Sequence, residues 1–340
     1  MRKIIKFEEH TPSFLSYASV GGFEERRGPL GKKFDFCDDT DRFGMKTWEL
    51  AEGEMGRISL NVAMNKISYS PDMLDALLAG DLENQCVASS GGLYSFGIPY
   101  IGLYSACSTC TEALLLLSTL ISNGAISNGA TVTTSHNSAA ERQFRTPIEY
   151  GGQRTPTAQW TATAAGAFIL GEGGKVEIKD GMIGKIVDGL IGDASNMGAA
   201  MARAAFDSFY TYFSISEISP REFDYVVTGD LGKVGSLIFE ELIDKELPSS
   251  HIKHLDCGNL LYDKKRADIH SGASGCGCSA SVLASYFLPE LECGNIKNIL
   301  FMSTGALMSP SSVLQGENIL GIAPVIHISS DINNDCEVKK

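Results

Sequence analysis

One stretch of the chain is apolar at nearly every position. Residues Ala113 to Leu117 are all apolar, and Leu120 and Ile121 extend the pattern. Because apolar side chains would then cover almost every side of a helix, this stretch predicts a central, buried helix and not an amphipathic surface helix. The short apolar run Pro99 to Leu103 precedes it and predicts a buried strand.

Cys107 lies between this predicted strand and the predicted helix. Thr109 and Glu112 have the spacing of a capping box, which predicts the start of the helix. Backbone N–H groups at a helix N-terminus stabilise negative charge, lower the pKa of a cysteine and can bind an oxyanion or a carboxylate. Cys107 is therefore the first candidate functional residue.

Three further segments have clear patterns. Residues Lys46 to Lys66 carry apolar side chains at helical spacing, which predicts an amphipathic helix. Leu74 to Ala79 predicts a strand that ends in Gly80 and Asp81. The first forty or so residues are rich in glycine and charge, and we expect loops and edge structure there.

The second half of the chain repeats this pattern. Phe223 to Leu231 is similar to Leu74 to Leu82, which lies 149 residues earlier, and Cys276 follows it in the position of Cys107. A second apolar helix is expected over Ala280 to Leu291, although a proline at position 289 should kink it or end it early.

Two copies of one pattern predict two structural halves, 1–173 and 174–340. In both halves strands alternate with helices, which predicts an α/β fold with mostly parallel sheets and sites at the carboxyl ends of strands. Asp81 and Cys107 are 26 residues apart, whereas Asp230 and Cys276 are 46 apart. We place the additional residues at His254 to Ile269, and long insertions of this kind are often functional.

Composition narrows the possible partners. The chain has 340 residues, 44% of them hydrophobic, and a net charge of −13, which argues against nucleic-acid binding. Neither a secretion signal nor a membrane span is apparent, so an intracellular protein is expected. The nine cysteines are an odd number without the spacing of a disulfide scaffold, and we expect reduced thiols.

These features resemble the thiolase and ketoacyl-synthase superfamily, and several motifs are similar to one branch of it, the stage V sporulation protein AD family. The motifs are Gly28 to Gly31, Ala79 to Leu82, Ala106 to Thr109, Ser135 to Asn137, Ala140 to Arg145, Glu149 to Gln153, Thr228 to Leu231, Asp256 to Gly258 and Ser274 to Cys276. They extend over nearly the whole chain.

The resemblance implies a thiolase-like αβαβα layered fold built from two duplicated halves. It also implies one component of the membrane machinery that moves dipicolinic acid, as its calcium chelate, into and out of bacterial spores. Such a chain would bind a ligand, lie peripherally on the forespore or spore inner membrane, and contact integral-membrane sporulation proteins. Superfamily members are often dimers, so a homodimer is possible.

Dipicolinate is a planar aromatic ring with two carboxylates, and arginine forks, N–H donors and aromatic or apolar walls would suit it. The candidate ligand-binding residues are Cys107, His136, Asn137, Arg142, Arg145, Asp230, Asp256 and Cys257. Arg142 and Arg145 could instead pair with Glu141 and Glu149. We expect no resident cofactor or metal, and calcium only as part of the ligand.

The alternative function is an acyltransferase with a Cys107 thioester intermediate. Condensing enzymes of this fold need a histidine or asparagine pair beside the thiol, and the internal repeat places Gly229 and Asp230 where one such histidine is expected. Since a carboxylate would repel an enolate, condensation is disfavoured, unless His254 or His270 replaces the missing group.

Two other kinds of site are disfavoured by their surroundings or spacing. Cys107 and Cys110 have thioredoxin-like spacing, but the apolar helix behind them does not suit a redox motif. Cys276 and Cys278, together with the residues at 254, 257 and 270, could form a metal site, yet their spacing is not that of a structural zinc site.

Overall fold

The computed structural model describes residues 2–144, 153–247, 252–263, 266 and 268–330, and in these parts the chain is a mixed α/β protein. The strands are β1 (Ile5–Lys6), β2 (Ser13–Gly21), β3 (Phe36–Cys37), β4 (Leu77–Gly80), β5 (Tyr100–Gly102), β6 (Gly129–Ser135), β7 (Trp160–Thr161), β8 (Ala164–Gly171), β9 (Glu177–Met182), β10 (Val187–Asp188), β11 (Tyr225–Thr228), β12 (His254–Asp256), β13 (Ala273–Ser274), β14 (Asn298–Met302), β15 (Gly305–Leu307), β16 (Leu320–Ile322) and β17 (Val325–Ser329). The helices are α1 (Phe23–Arg27), α2 (Trp48–Lys66), α3 (Val87–Leu93), α4 (Thr109–Ser122), α5 (Asn137–Phe144), α6 (Met197–Ile215), α7 (Gly232–Glu246), α8 (Cys257–Leu261), α9 (Cys276–Val282), α10 (Leu288–Glu292) and α11 (Pro310–Leu314).

The main strands follow the same order in both halves of the chain. One half has the order β5-β4-β6-β8-β2 and the other β12-β11-β14-β17-β9, and the two sets meet where Ser13 of β2 pairs with Glu177 of β9. In each set three strands are parallel, and the remaining two pairings are antiparallel. The duplicated α/β plan is confirmed, although the sheets are less parallel than we predicted.

Helices form three layers around these sheets. α4 contacts β4 and β6 on one side and β9 and β17 on the other, and α9 contacts α4 as well as β2, β6 and β8. α2 and α3 cover the outer face of the first sheet, and α6 and α7 pack together over the second. The αβαβα layering is therefore confirmed.

The central position of α4 explains its sequence. Leu114, Leu115 and Leu117 are buried, and only one of the consecutive leucines, Leu116, is substantially exposed. The predicted capping box was wrong, because Thr109 is the first residue of the helix and its hydroxyl accepts a hydrogen bond from the N–H of Ser105 (3.0 Å). A helix between two sheets is stabilised by apolar burial on both sides and does not depend on that cap.

Two predictions about strands were wrong. Residues assigned to loops and edge structure include β2, a nine-residue strand paired along its length with β8. Its three serines are buried, and two of their hydroxyls have partners: Ser13 donates to the carbonyl of Gly171 and Ser16 to that of Ala63, both at 2.7 Å. The hydroxyl of Ser19 has no hydrogen-bond partner among the described residues. In contrast, β5 is an exposed strand at the sheet edge and not a buried one, since it pairs with β4 alone.

Two features of the second half also differ from expectation. The helical path continues through Pro289, which lies in the first turn of α10 after a π-helical segment, Leu283–Phe287. A π segment changes the hydrogen-bonding register, so the missing N–H of a proline can be accommodated there. The place of the additional residues is the second feature. Because β12 occupies the same place in its sheet as β5 does in the other set, the residues that the second half has in addition lie mainly after β12, where α8 begins.

Candidate functional site

The sequence correctly placed Cys107 at a turn between a strand and a helix. β5 ends at Gly102, Ala106 has a left-handed backbone (φ +49°), and the N-cap of α4 is Ser108. Such a conformation is uncommon for alanine and turns the chain sharply, which places the thiol at the start of α4. The side chain of Cys107 is buried, with 8% of its surface exposed, and it lines a cavity.

The cavity has a volume of about 250 Å³ and combines apolar walls with a polar side. The apolar lining residues are Leu82, Tyr104, Ala106, Ala140, Phe144, Ala158, Ala194, Met197, Ala306 and Met308. The polar lining residues are Cys107, Glu141, Gln153, Arg154, Thr155, Gln159, Thr161, Ser195 and Ser274. Apolar walls with a few converging polar groups are typical of a small-molecule site.

The Asp230 carboxyl group is the acidic neighbour of the Cys107 thiol. The carboxyl group is fully buried and also accepts hydrogen bonds from the hydroxyl of Thr304 (2.6 Å) and the N–H of Gly275 (3.1 Å). Burial raises the pKa of Asp230 to about 7, and the hydrogen bond from Thr304 opposes this rise. The candidate Asp230 therefore lies beside the thiol, in the layer behind the cavity wall.

The pKa of Cys107 changes in the opposite direction from our expectation. Burial raises the pKa of the thiol well above its usual value, and the Asp230 carboxyl raises it further. The N–H groups at the start of α4 do not compensate, because desolvation of a thiolate costs more than the partial charge of a helix terminus returns. At neutral pH the thiol is therefore protonated.

Arg154 supplies a positive charge to the cavity, and sequence reasoning missed it. Its guanidinium donates to Glu141 Oε1 (3.0 Å) and to the carbonyl of Gln159, and lies 5.1 Å from the ring centroid of Trp160. Arg154 directly follows the motif that ends at Gln153. This adjacency was the sequence signal that could have identified Arg154 as a site residue.

Of the two arginines chosen from sequence, the one that the structure describes, Arg142, lies away from the cavity lining. Arg142 is exposed, pairs with Glu49 and is not among the lining residues, so the structure argues against its contact with a ligand. The alternative pairing of Arg142 with Glu141 is also not found, since Arg154 holds Glu141. Arg145 lies outside the described residues.

His136 and Asn137 lie at the end of β6, as predicted, but neither lines the cavity. His136 is buried, its Nε2 lies 2.8 Å from the carbonyl of Asp41, and its Nδ1 accepts from the N–H of Ser138 (3.2 Å). Burial lowers the pKa of His136, so the ring is neutral. The side-chain amide of Asn137 donates to the carbonyl of Thr161 (3.3 Å). Both side chains stabilise the fold here instead of contacting the cavity.

Asp256 and Cys257 are also outside the lining. The buried Asp256 carboxylate accepts hydrogen bonds from the N–H groups of Leu231 (2.8 Å) and Gly232 (2.9 Å), and from the hydroxyl of Thr228 (2.7 Å). It thereby fixes the loop that follows β11, the loop that contains Asp230. Cys257 is fully buried in the main apolar cluster. These contacts leave neither residue available to a ligand.

The histidines proposed as replacement catalytic groups are not in the cavity lining either. His254 lies between Glu240 and Thr228, with ring nitrogens 2.8 Å from an oxygen of each. His270 is exposed and has a left-handed backbone. Among the described lining residues there is no imidazole.

Metal and redox sites find no support in the described ranges. They contain no group of three or more histidine, cysteine or acidic side chains that could hold a metal ion. The cysteines of this part of the chain are free thiols, including Cys107 and Cys110. In the same residues, no helix has the length and apolar character needed to cross a bilayer.

Comparisons with known proteins agree with this architecture. A sequence model described as "Stage V sporulation protein AD (SpoVAD)" matches residues 2–329. Stage V sporulation protein AD of Bacillus subtilis (strain 168) is 37% identical over 316 residues, which cover 93% of each chain.

Solved structures share the fold at low sequence identity. A 3-oxoacyl-[acyl-carrier-protein] synthase III from Aquifex aeolicus VF5 superposes with a TM-score of 0.57 at 13% identity, covering 93% of this chain and 99% of that one. An OleA variant from Xanthomonas campestris gives a TM-score of 0.60 at 12% identity, covering 94% and 99%. The chain has a thiolase-like fold, and by its sequence it belongs to the stage V sporulation protein AD family.

Proposed function

We propose that this chain binds dipicolinic acid, or its calcium chelate, in the cavity beside Cys107, and that it does not transform the ligand. The burial of the Cys107 thiol beside the Asp230 carboxyl, at the wall of the cavity, carries the proposal. A thiol held in its protonated form next to a buried carboxyl group is a poor nucleophile and a suitable neutral wall for a bound ring.

The lining suits a flat aromatic acid. Phe144 and Tyr104 supply aromatic surface, two methionines supply adaptable apolar surface, and Arg154 supplies the charge that a carboxylate needs. The volume of about 250 Å³ suits a molecule of one ring better than a long acyl chain.

Calorimetric titration with dipicolinate, with and without calcium, tests this proposal. We expect saturable binding of one ligand per chain and much weaker binding of benzoate, which has one carboxylate fewer. A protein that gives no binding heat with dipicolinate under either condition would contradict the proposal.

Membership of a sporulation family, together with the absence of a candidate span in the described residues, supports a peripheral role at the spore membrane. The proposed partners are integral-membrane sporulation proteins of the same transport machinery. Co-purification of the tagged chain with membrane fractions of sporulating cells, but not of vegetative cells, is the expected result.

The second candidate function is acyl transfer through a Cys107 thioester. The fold shared with condensing enzymes and the position of the thiol on a cavity favour it. Incubation with acyl-CoA followed by intact-mass measurement separates the two functions. A stable acyl adduct on Cys107, in a protein without affinity for dipicolinate, would favour acyl transfer over ligand binding.

A further inference from the structure

Four side chains form a continuous series of hydrogen bonds from the surface of α7 to the buried carboxylate of Asp256. Oε1 of Glu240 lies 2.8 Å from Nδ1 of His254, and Nε2 of His254 lies 2.8 Å from the hydroxyl of Thr228. That hydroxyl donates to Oδ2 of Asp256 at 2.7 Å. The side chain of Glu240 is 47% exposed, whereas that of His254 is 4% exposed. The series therefore connects a carboxylate in solvent to a carboxylate in the interior.

Asp256, at the buried end, has the contacts of an ionised carboxylate. Besides the hydroxyl of Thr228, it accepts from three backbone N–H groups, those of Leu231 (2.8 Å), Gly232 (2.9 Å) and Asn259 (3.1 Å). Burial raises the pKa of Asp256, whereas the hydrogen bond from Thr228 and the charge of His254 lower it. Four donors to one carboxyl group favour its charged form.

The number of protons in the series determines the charge of His254. A hydroxyl has one proton, and Thr228 gives it to Asp256, so the Thr228 oxygen must accept from Nε2 of the ring. An ionised Glu240 has no proton to give, so Nδ1 must donate as well. A ring that donates from both nitrogens is an imidazolium. The geometry therefore makes His254 a buried cation between two carboxylates.

The groups packed around the ring agree with this charge. β11, α7 and α8 contact β12, the strand of His254. α7 contributes Glu240 and the ring of Phe239, whose centroid lies 4.9 Å from that of His254. β11 contributes Thr228, and α8 contributes Cys257, a thiol kept neutral because burial raises its pKa well above the usual value. The hydrogen bond from His254 lowers the pKa of Glu240, as expected beside a cation.

The Asp256 carboxylate in turn holds the loop behind the cavity wall. The N–H groups of Leu231 and Gly232 that it binds come directly after Asp230, whose carboxyl group lies beside the Cys107 thiol. Gly232 has a left-handed backbone (φ +61°), so the chain turns sharply where the carboxylate binds it. A change in the charge next to Asp256 therefore acts on the position of Asp230.

We propose that His254 is a positioning residue of the ligand cavity, which as an imidazolium links Glu240 to Asp256 and so holds the Asp230 loop against Cys107. The inference rests on the proposed function, because the site it concerns is the cavity beside Cys107. It requires no contact between His254 and the ligand. When the ring loses a proton, one of its hydrogen bonds is lost and Asp256 loses its positive neighbour, so the loop is held less firmly.

Nitrogen NMR of the full chain with isotope-labelled histidine, at neutral pH, tests the charge directly. The two ring nitrogens of an imidazolium resonate close together, whereas those of a neutral ring are far apart. We expect the close pair for His254, assigned by its disappearance in His254→Gln. A widely separated pair would overturn the inference.

Two matched substitutions on α7 distinguish the charge of the contact from its shape. Glu240→Gln keeps an oxygen that can accept from Nδ1 but removes the negative charge, and Glu241→Gln makes the same change on the next, exposed residue. In calorimetric titration with dipicolinate, Glu240→Gln should weaken binding by about threefold or more, and Glu241→Gln by less than about 1.5-fold. Equal effects of the two substitutions would overturn the role of the charge.

Binding should also depend on pH through His254. Between pH 6.5 and 9, the affinity of the parent for dipicolinate should fall about threefold more than that of His254→Gln, because only the parent has an imidazolium to lose. Asp230, whose pKa burial raises to about 7, ionises in both proteins, so the difference between the two profiles is the measure. Identical profiles would overturn the inference. If His254→Gln does not fold, as judged by its thermal transition, the comparison of Glu240→Gln with Glu241→Gln decides.

Alkylation of Cys107 separates this inference from the proposed function, because it reports on the loop without any ligand. Iodoacetamide should modify Cys107 about threefold faster in Glu240→Gln than in Glu241→Gln, measured by peptide mass mapping. If this difference and the imidazolium signals are found but the parent binds no dipicolinate, the proposed function alone is overturned. If the parent binds dipicolinate but the ring is neutral or the two alkylation rates are equal, the inference alone is overturned.

Discussion

The Cys107 thiol lies beside the Asp230 carboxyl group, and these two buried residues come from opposite halves of the chain. Asp230 follows β11, whereas Cys107 precedes α4, so the contact forms only when the two halves pack together. Burial first, and the neighbouring Asp230 carboxyl after it, raise the pKa of the thiol and keep the sulfur protonated, which agrees with the binding role proposed above.

Replacing the carboxyl group should make the thiol more reactive. In Asp230→Asn the negative charge that raises the pKa of Cys107 is removed, and one pKa unit corresponds to about a tenfold change in thiolate at a given pH. We expect alkylation of Cys107 by iodoacetamide at pH 8 to be roughly tenfold faster, measured by peptide mass mapping. The half-buried Cys293 is the internal control, and an unchanged Cys107 rate would contradict the pairing.

Arg154 should be required for binding and Arg142 should not. Arg154→Ala removes the lining cation, and loss of a charge-assisted hydrogen bond should weaken dipicolinate binding by about tenfold or more. Arg142→Ala removes an equal charge from an exposed arginine that pairs with Glu49, and should change the affinity less than about twofold. Titration calorimetry of both variants checks this, and equal losses would place the ligand elsewhere.

Stability should fall as the pH rises from mildly acidic to neutral. Burial raises the pKa of Glu25, Glu83 and Asp230 to about 7 each. Between the ordinary carboxyl pKa, near 4, and the folded value the native state keeps protons that the unfolded state has released, so the free energy of unfolding decreases over that interval. Above the folded-state pKa these carboxyl groups are ionised in both states, and they cause no further change in the free energy of unfolding.

Urea unfolding at several pH values between 5 and 8 measures this effect. Glu25 is the best single test, because its carboxylate is fully buried and accepts from the N–H groups of Gly22 (3.1 Å) and Thr163 (3.0 Å). In Glu25→Gln the decrease in the free energy of unfolding between pH 5 and 8 should be smaller than in the parent, by up to about 3 kcal/mol. A slope that is the same in the variant and the parent would exclude Glu25 as a source.

The close approach of α9 to β8 requires a glycine. A Cβ on Gly277 would lie 2.0 Å from the carbonyl oxygen of Ala164, which is backbone and cannot move aside. Gly277→Ala should therefore lower the free energy of unfolding by roughly 3 kcal/mol or more. Gly91→Ala, in α3 with open space around the position, should raise it by about 0.5–1 kcal/mol. Urea unfolding of the two variants gives the comparison, and similar effects would contradict the packing.

A homodimer, which the superfamily resemblance suggested, remains a prediction, and the exposed edge strand β5 is where we expect it to form. Tyr100 and Ile101 are 40% and 45% exposed, and an unpaired edge strand can pair with a second copy. Sedimentation should give a dimer mass for the parent and for Leu314→Lys, and a monomer mass for Ile101→Lys. A parent chain that is monomeric at micromolar concentration would contradict this.

The parts of the fold that sequence predicted well are those with strong local patterns. α2 and α4 were predicted from the spacing and density of their apolar residues, and β11 from its similarity to β4. β2 was missed because serines alternate with its apolar residues, and only pairing with β8 and packing of the neighbouring elements make that composition suitable for a sheet interior. β5 was predicted as buried because an apolar run does not reveal whether a neighbouring strand exists.

For the site, the sequence by itself determined that Cys107 stands at the start of a buried helix, because a turn, a helix start and an apolar run are adjacent in the chain. Only the tertiary structure decided which groups surround it. Asp230, Arg154 and Gln159 reach the cavity region from segments distant in sequence, while Arg142, Asp256 and Cys257 are engaged in contacts that hold the fold. The direction of the thiol pKa was likewise decided by burial, since desolvation depends on what packs over a group and not on its neighbours along the chain.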